Sequence, residues 1–146
     1  MDAVAVHEAS HAVVALVRGV GVAYASVVAT AKSAAFTRFS KSLTTVEVQD
    51  ALLVVLSGPV GEAKFTGRPV ELSGSDRDTA RALASVLADS DEEAAVDHIL
   101  HRYQILSAAA VETSWSRIQR VATKLSRCRE LSSRHIADLM WEAKKE

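Results

Sequence analysis

Residues 3–19 read AVAVHEASHAVVALVRG, and the reading of this stretch decides the fold. Val6, Val13, Val14 and Val17 recur at helical spacing. Asp2 stands where a helix cap belongs, and Gly19 and Gly21 are natural stops after Arg18. A helix here puts His7 and His11, four residues apart, on one face. The apolar run AVVALV asks for that helix to be buried, and Ala9 and Ser10 are small enough to leave space beside the imidazoles. The plain alternative is an amphipathic helix with two solvent-facing histidines, but a buried helix is a poor place for idle imidazoles.

Two imidazoles at i and i+4 can direct ring nitrogens at a single ion, and His7-Glu8-Ala9-Ser10-His11 has the spacing of a zinc-binding helix. Glu8 lies roughly 100° around the helix from His7, where it can reach a metal-bound water without being a ligand. Zinc lowers the pKa of such a water towards ~7, and a neighbouring carboxylate can take its proton. The pattern therefore predicts Zn2+ on His7 and His11, with Glu8 as general base and later proton donor. It also requires another protein ligand.

Outward from this helix the period changes. Over residues 22–39 the helical pattern disappears, and a segment rich in Val, Thr, Tyr and Phe reads as two short strands around a turn near Lys32 and Ser33. Thr44 and Glu47 form a capping-box pattern ahead of Val48, Leu52, Val55 and Leu56. Pro59 is expected to interrupt or kink that helix, which should end by Gly67. Ser75 is expected to cap a helix running to about Asp89. Residues 92–128 read as helical almost throughout, as one helix or two. A last helix is expected within ELSSRHIADLM, with Ser132 at its cap and Leu131 stapled against Ile136. The expected fold is mainly α with a small β-hairpin or short sheet (α+β), residues 1–146 forming a single domain with the metal-binding helix at the N-terminus.

The stretch LSGSDRDTARALASVLAD offers the missing ligand. Asp76, Ala80, Leu83, Ala84 and Leu87 fall on one helix face, whereas Asp78 turns away from it. Acids are favoured in a first helical turn, and Ser75 with Asp78 makes a serviceable capping box, so ordinary helix-start chemistry accounts for Asp78. It accounts less well for Asp76, because a carboxylate on a buried face needs a partner.

Three stretches together resemble a known family, the FtsH-type zinc proteases, which join an AAA+ ATPase to a helical peptidase domain. HEASHAVVAL resembles their zinc-binding helix, LSGPVGEAKFTG a small-residue helix with a glutamate ahead of a closing glycine, and SGSDRDTARALASVL the helix supplying an aspartate as third zinc ligand. The resemblance selects Asp76 rather than Asp78 and implies a helical zinc metallopeptidase domain that hydrolyses peptide bonds. Ser10 stands where that pattern usually has glycine. No ATPase accompanies the match: in GPVGEAKF, Lys64 is neither preceded by Gly nor followed by Ser or Thr, so it is not a phosphate loop. The expected substrate is an unstructured or partner-delivered polypeptide, cleaved independently of ATP. A second copy of the chain and a separate partner protein are both compatible with the sequence. The rival from another class is a non-catalytic descendant that keeps the metal or the helix as a protein-interaction module, a role with no use for Glu8.

Composition narrows the remaining classes. The chain has 146 residues, 49% hydrophobic and 5% aromatic, with net charge −1, so as a whole it predicts no attraction to nucleic acid or anionic membrane. No apolar stretch approaches the ~20 residues of a membrane span, and no basic-then-apolar start suggests a secretory signal. Cys128 is the single cysteine, which excludes an intrachain disulfide and suggests a reducing, cytoplasmic location. Its arginine neighbours could favour a thiolate, but no His or Asn arrangement supports a thiol nucleophile. His98 and His101 lack an acid or cysteine to complete a second metal site and read as a solvated face, as does His135. Glu62 reads equally as a group behind the ligands, a packing residue or a surface acid. The stretch SAAFTRF could be an edge strand that holds substrate extended, or a plain hairpin over the core.

Overall fold

Helix α1 (Ala3–Arg18) is capped at both ends as its sequence demands. The Asp2 carboxylate accepts from the Ala5 amide at 2.8 Å, and Gly19 closes the helix in a left-handed conformation at φ 77. The computed structural model describes residues 1–19, 24–26 and 45–142. Within them the order after α1 is β1 (Tyr24–Ser26), α2 (Thr45–Thr66), α3 (Gly74–Ala88), α4 (Glu93–Thr113), α5 (Trp115–Cys128), β2 (Glu130–Ser132) and α6 (Ser133–Glu142). The architecture is mostly helical with a short two-stranded sheet. None of the described helices is long and apolar enough to cross a membrane.

α1 runs through the middle, with Ala5, Val6 and residues 8–15 all buried. It packs against α2 on one side and α5 on another. Ala5, Val6, Ala9, Ala12 and Val13 share an apolar cluster with Ile118, Val121, Ala122 and Leu125 of α5 and with Ile136 and Met140 of α6. A second cluster joins Leu52, Val55 and Leu56 of α2 to Ala80, Leu83 and Ala84 of α3 and Val96, Leu100 and Tyr103 of α4. α2 serves both, since Val54 and Val60 face the first cluster. A helix apolar all round is one that must be covered all round.

The bounds of the later helices meet some expectations and correct others. α2 ends at Thr66, by Gly67 as expected, but Pro59 lies inside it and does not interrupt it; the ring removes one backbone donor without ending the helix. Ser75 is not the cap of α3. Ser73 holds the extended cap position (φ −141, ψ 161) and the helix begins at Gly74, so Ser75 sits inside the first turn and forms no capping box with Asp78. Two serines flank Gly74, and either could cap on propensity alone. The helical stretch over residues 92–128 is two helices parted at Ser114, where hydrogen bonding continues on both sides and neither Gly nor Pro marks the break.

The short sheet also differs from a simple hairpin. Tyr24–Ser26 pairs antiparallel with Glu130–Ser132, Ala25 opposite Leu131, so a strand immediately precedes the last helix. The turn at Lys32 and Ser33, the second expected strand with SAAFTRF, and Thr44 of the capping box lie outside the described residues. At α6 the expectation holds. The Ser132 hydroxyl accepts from the His135 amide at 3.2 Å, and Leu131 and Ile136 are buried in the same cluster.

Candidate metal centre

The two-sided burial of α1 and α2 forces their backbones close together, and glycine makes the approach feasible. A Cβ built on Gly61 would overlap the Ser10 hydroxyl, and one on Gly58 would overlap the His11 ring and lie 2.8 Å from His7 Nε2. Ser10, the departure from the FtsH-type pattern, is thus accommodated by a bare glycine opposite. Its hydroxyl donates back to the Val6 carbonyl at 2.7 Å.

Against this α1–α2 seam α3 brings its first turn. Asp76 Oδ2 lies 2.7 Å from His7 Nε2 and 3.3 Å from His11 Nε2. The three donor atoms lie within 4.8 Å of one another. Asp78 points elsewhere: its side chain is 73% exposed and pairs with Arg77 on the surface. The helical face that carried Asp76 to the core also buries Ala80, Leu83 and Ala84, as its spacing requires.

The far side of each imidazole is anchored. His11 Nδ1 is 2.8 Å from the Val54 carbonyl oxygen. A carbonyl can only accept, so Nδ1 carries the proton, and in the neutral ring Nε2 is a bare lone pair. His7 Nδ1 donates in the same manner to Glu62 Oε1 at 3.0 Å. Glu62, half-exposed, is therefore the acid behind His7 and not a plain surface residue. A histidine held by a carbonyl or carboxylate at one nitrogen and offering the other is the usual arrangement at protein metal sites.

Electrostatics give the same picture. Burial opposes a charge on His7, but the Asp76 carboxylate at Nε2, aided by Glu8 and Glu62, outweighs it and raises its pKa above the ordinary value. Burial likewise favours neutral Asp76, yet the facing His11 and His7 rings, where they carry a proton at Nε2, hold its carboxyl well below the usual range. Without a metal, a proton on His7 thus bridges to Asp76. With both rings neutral, two nitrogen lone pairs and a carboxylate converge, a donor set that a cation satisfies.

That set fits zinc: two imidazole nitrogens and one carboxylate oxygen are a known catalytic combination with a further position open. His7 and Asp76 side chains are 21% and 19% exposed, whereas His11 is 4% exposed, so solvent reaches the cluster from the His7 side. Glu8, directly after His7, is buried at 8% exposure and stands outside the ligand set. Among the described residues His98, His101 and His135 are exposed and join no such cluster. The residues missed from sequence were Gly58, Gly61 and the Val54 carbonyl. Their signal was the small-residue run LSGPVG, whose partner face only the fold reveals.

A scan against protein-family models finds no match for this chain, and a comparison with curated proteins finds no significant relative.

Proposed function

We propose that this domain is a zinc metallopeptidase that hydrolyses peptide bonds in unstructured or partner-delivered polypeptides without ATP. The observation that carries the reading is the convergence of His7, His11 and Asp76 with a buried Glu8 at the position next to His7. The resemblance of HEASHAVVAL and SGSDRDTARALASVL to FtsH-type peptidases supports it.

Zinc held by His7, His11 and Asp76 would supply a Lewis acid for water and for the scissile carbonyl. The chain does the rest. Val54 and Glu62 fix both imidazoles with Nε2 forward, so the ligands need little rearrangement. The Glu8 carboxylate takes a proton from the attacking water and returns it to the leaving amide nitrogen. Glu8 favours chemistry over a metal-holding scaffold, because a structural site has no need of a carboxylate beside its ligands.

Glu8→Gln provides the test. It keeps shape but removes the base, so zinc content should remain about one per chain while cleavage of a broad peptide library falls by about 10²–10⁴-fold. Wild-type protein that is fully loaded with zinc and cleaves nothing in such a library would instead establish the non-catalytic metal-binding module.

A further inference from the structure

The charge of the chain is unevenly placed. Residues 115–134 carry Arg117, Arg120, Lys124, Arg127, Arg129 and Arg134 against one acid, Glu130, a local excess of five positive charges; with a net charge of −1 overall, the remainder carries −6. Elsewhere among the described residues four basic groups are paired, Arg18 with Asp50, Lys64 with Glu112, Arg77 with Asp78 and Arg81 with Asp97, while Arg68 and Arg102, isolated from one another, are in no such pair. None of the cations over residues 115–134 has a carboxylate partner among the described residues. Arg120 donates to the Leu139 carbonyl at 3.1 Å and Arg117 stacks on Trp141 at 5.2 Å, contacts that bring neither cation an opposing charge. Asp138 borders a groove with Lys124 but makes no ion pair with it.

We propose that the basic face of α5, exposed at Lys124 and Arg127 and half-buried at Arg117 and Arg120, docks an acidic polypeptide segment together with the start of α6. Arg117, Arg120, Lys124 and Arg127 follow i, i+3, i+7, i+10 spacing, which keeps them within roughly 80° of arc over about 15 Å of helix. Side chains on one side of an extended strand recur every ~6.6 Å, close to the ~4.5–6 Å steps between these cations. About five residues of acidic chain therefore span the row. Guanidinium groups dominate it, and their planar forks pair with carboxylates two bonds at a time. A long, stiff polyanion such as duplex nucleic acid would run past this short footprint onto the −6 remainder, whereas a short flexible segment need not.

On the peptidase reading, this face is a handle for substrates. α5 packs on α1, which carries His7 and His11, so a docked chain is tethered to the helix that bears the metal ligands and its effective concentration there rises. Helix axes lie ~8–10 Å apart, which puts the basic face about two helix layers from the cluster. The acidic segment must then lie more than about six extended residues from the bond cut.

The test uses the full chain with Glu8→Gln, which binds without cutting, and fluorescence anisotropy of a labelled peptide bearing six Glu and Asp residues. Binding should exceed that of an uncharged peptide, weaken with salt, and fall about tenfold or more in Lys124→Glu/Arg127→Glu. Both positions are exposed and make no ion pair among the described residues. The neutral pair Lys124→Gln/Arg127→Gln, which adds no new charge, should show a smaller loss in the same direction. With active enzyme, these changes should raise KM for an acid-tagged peptide and leave kcat and untagged cleavage unchanged. Equal binding of acidic and neutral peptides, or insensitivity to both double variants, overturns the proposal. So does tighter binding of an oligonucleotide of equal charge, tighter binding of anionic phosphatidylglycerol vesicles, or self-association through this face. Specific binding of the acidic peptide with no cleavage by active-site-intact protein would leave the docking face standing and refute only the peptidase reading.

Discussion

Gly58→Ala adds one methyl group where the donor atoms of α1 and α3 converge. The new Cβ would overlap the His11 ring and lie 2.8 Å from His7 Nε2, while ordinary contact begins near 3.4 Å, so His7 must retreat by at least ~0.6 Å and His11 by more. Metal–ligand distances tolerate only about ±0.2 Å. Both imidazoles are anchored behind, by Val54 and Glu62, and cannot swing aside without losing those bonds. Overpacking costs about 1–3 kcal/mol, but alanine in place of a helical glycine returns about 1 kcal/mol. The metal-free protein should therefore lose only ~0–2 kcal/mol, read by urea unfolding. Zinc affinity, read by competition with a chromophoric chelator, should fall at least a hundredfold, about 2.7 kcal/mol. A Gly58→Ala protein that folds and binds zinc as tightly as wild type would refute the placement of the ion at this seam.

Asp76→Ala should abolish both zinc binding and cleavage, whereas Asp78→Ala, at an exposed position outside any cap, should change stability by no more than about 0.5 kcal/mol and leave metal content intact. Gly61→Ala should destabilise the fold by about 1–3 kcal/mol through its overlap with Ser10, and Ser10→Gly in the same chain should restore most of it in a double-mutant cycle of thermal or urea unfolding. In chelator-treated protein, the raised His7 pKa contributes stability that is full below the unfolded value near ~6.5 and is lost as pH rises through the folded value. The lowered Asp76 pKa contributes stability present above ~3.9 and lost as pH falls through the folded value. Thermal melts across pH should thus show metal-free stability falling as pH rises beyond ~6.5, while zinc affinity rises over the same range as the proton on His7 gives way. A metal-free protein that becomes steadily more stable up to pH 9 would contradict the His7–Asp76 bridge.

The amino-acid sequence alone determined the features governed by helical period and local capping. Four-residue spacing put His7 and His11 on one face, the Ala80–Leu83–Ala84 stripe turned Asp76 inward and Asp78 outward, and Asp2, Gly19 and Ser132 marked helix ends through bonds to near neighbours. Those properties depend on residues a few positions apart. Local chemistry was insufficient where two choices were nearly equal, as at Ser73 and Ser75, or where a helix broke without Gly or Pro, as at Ser114. The tertiary structure alone decided the contacts that join distant segments. Glu62 reached His7 across 55 residues and the Val54 carbonyl reached His11 across 43, while β1 found its partner in Glu130–Ser132. Gly58 and Gly61 became intelligible only when α1 lay against them. Periodicity says which face of a helix is buried, but which helix covers it, and at what closeness, is settled by packing all the faces at once.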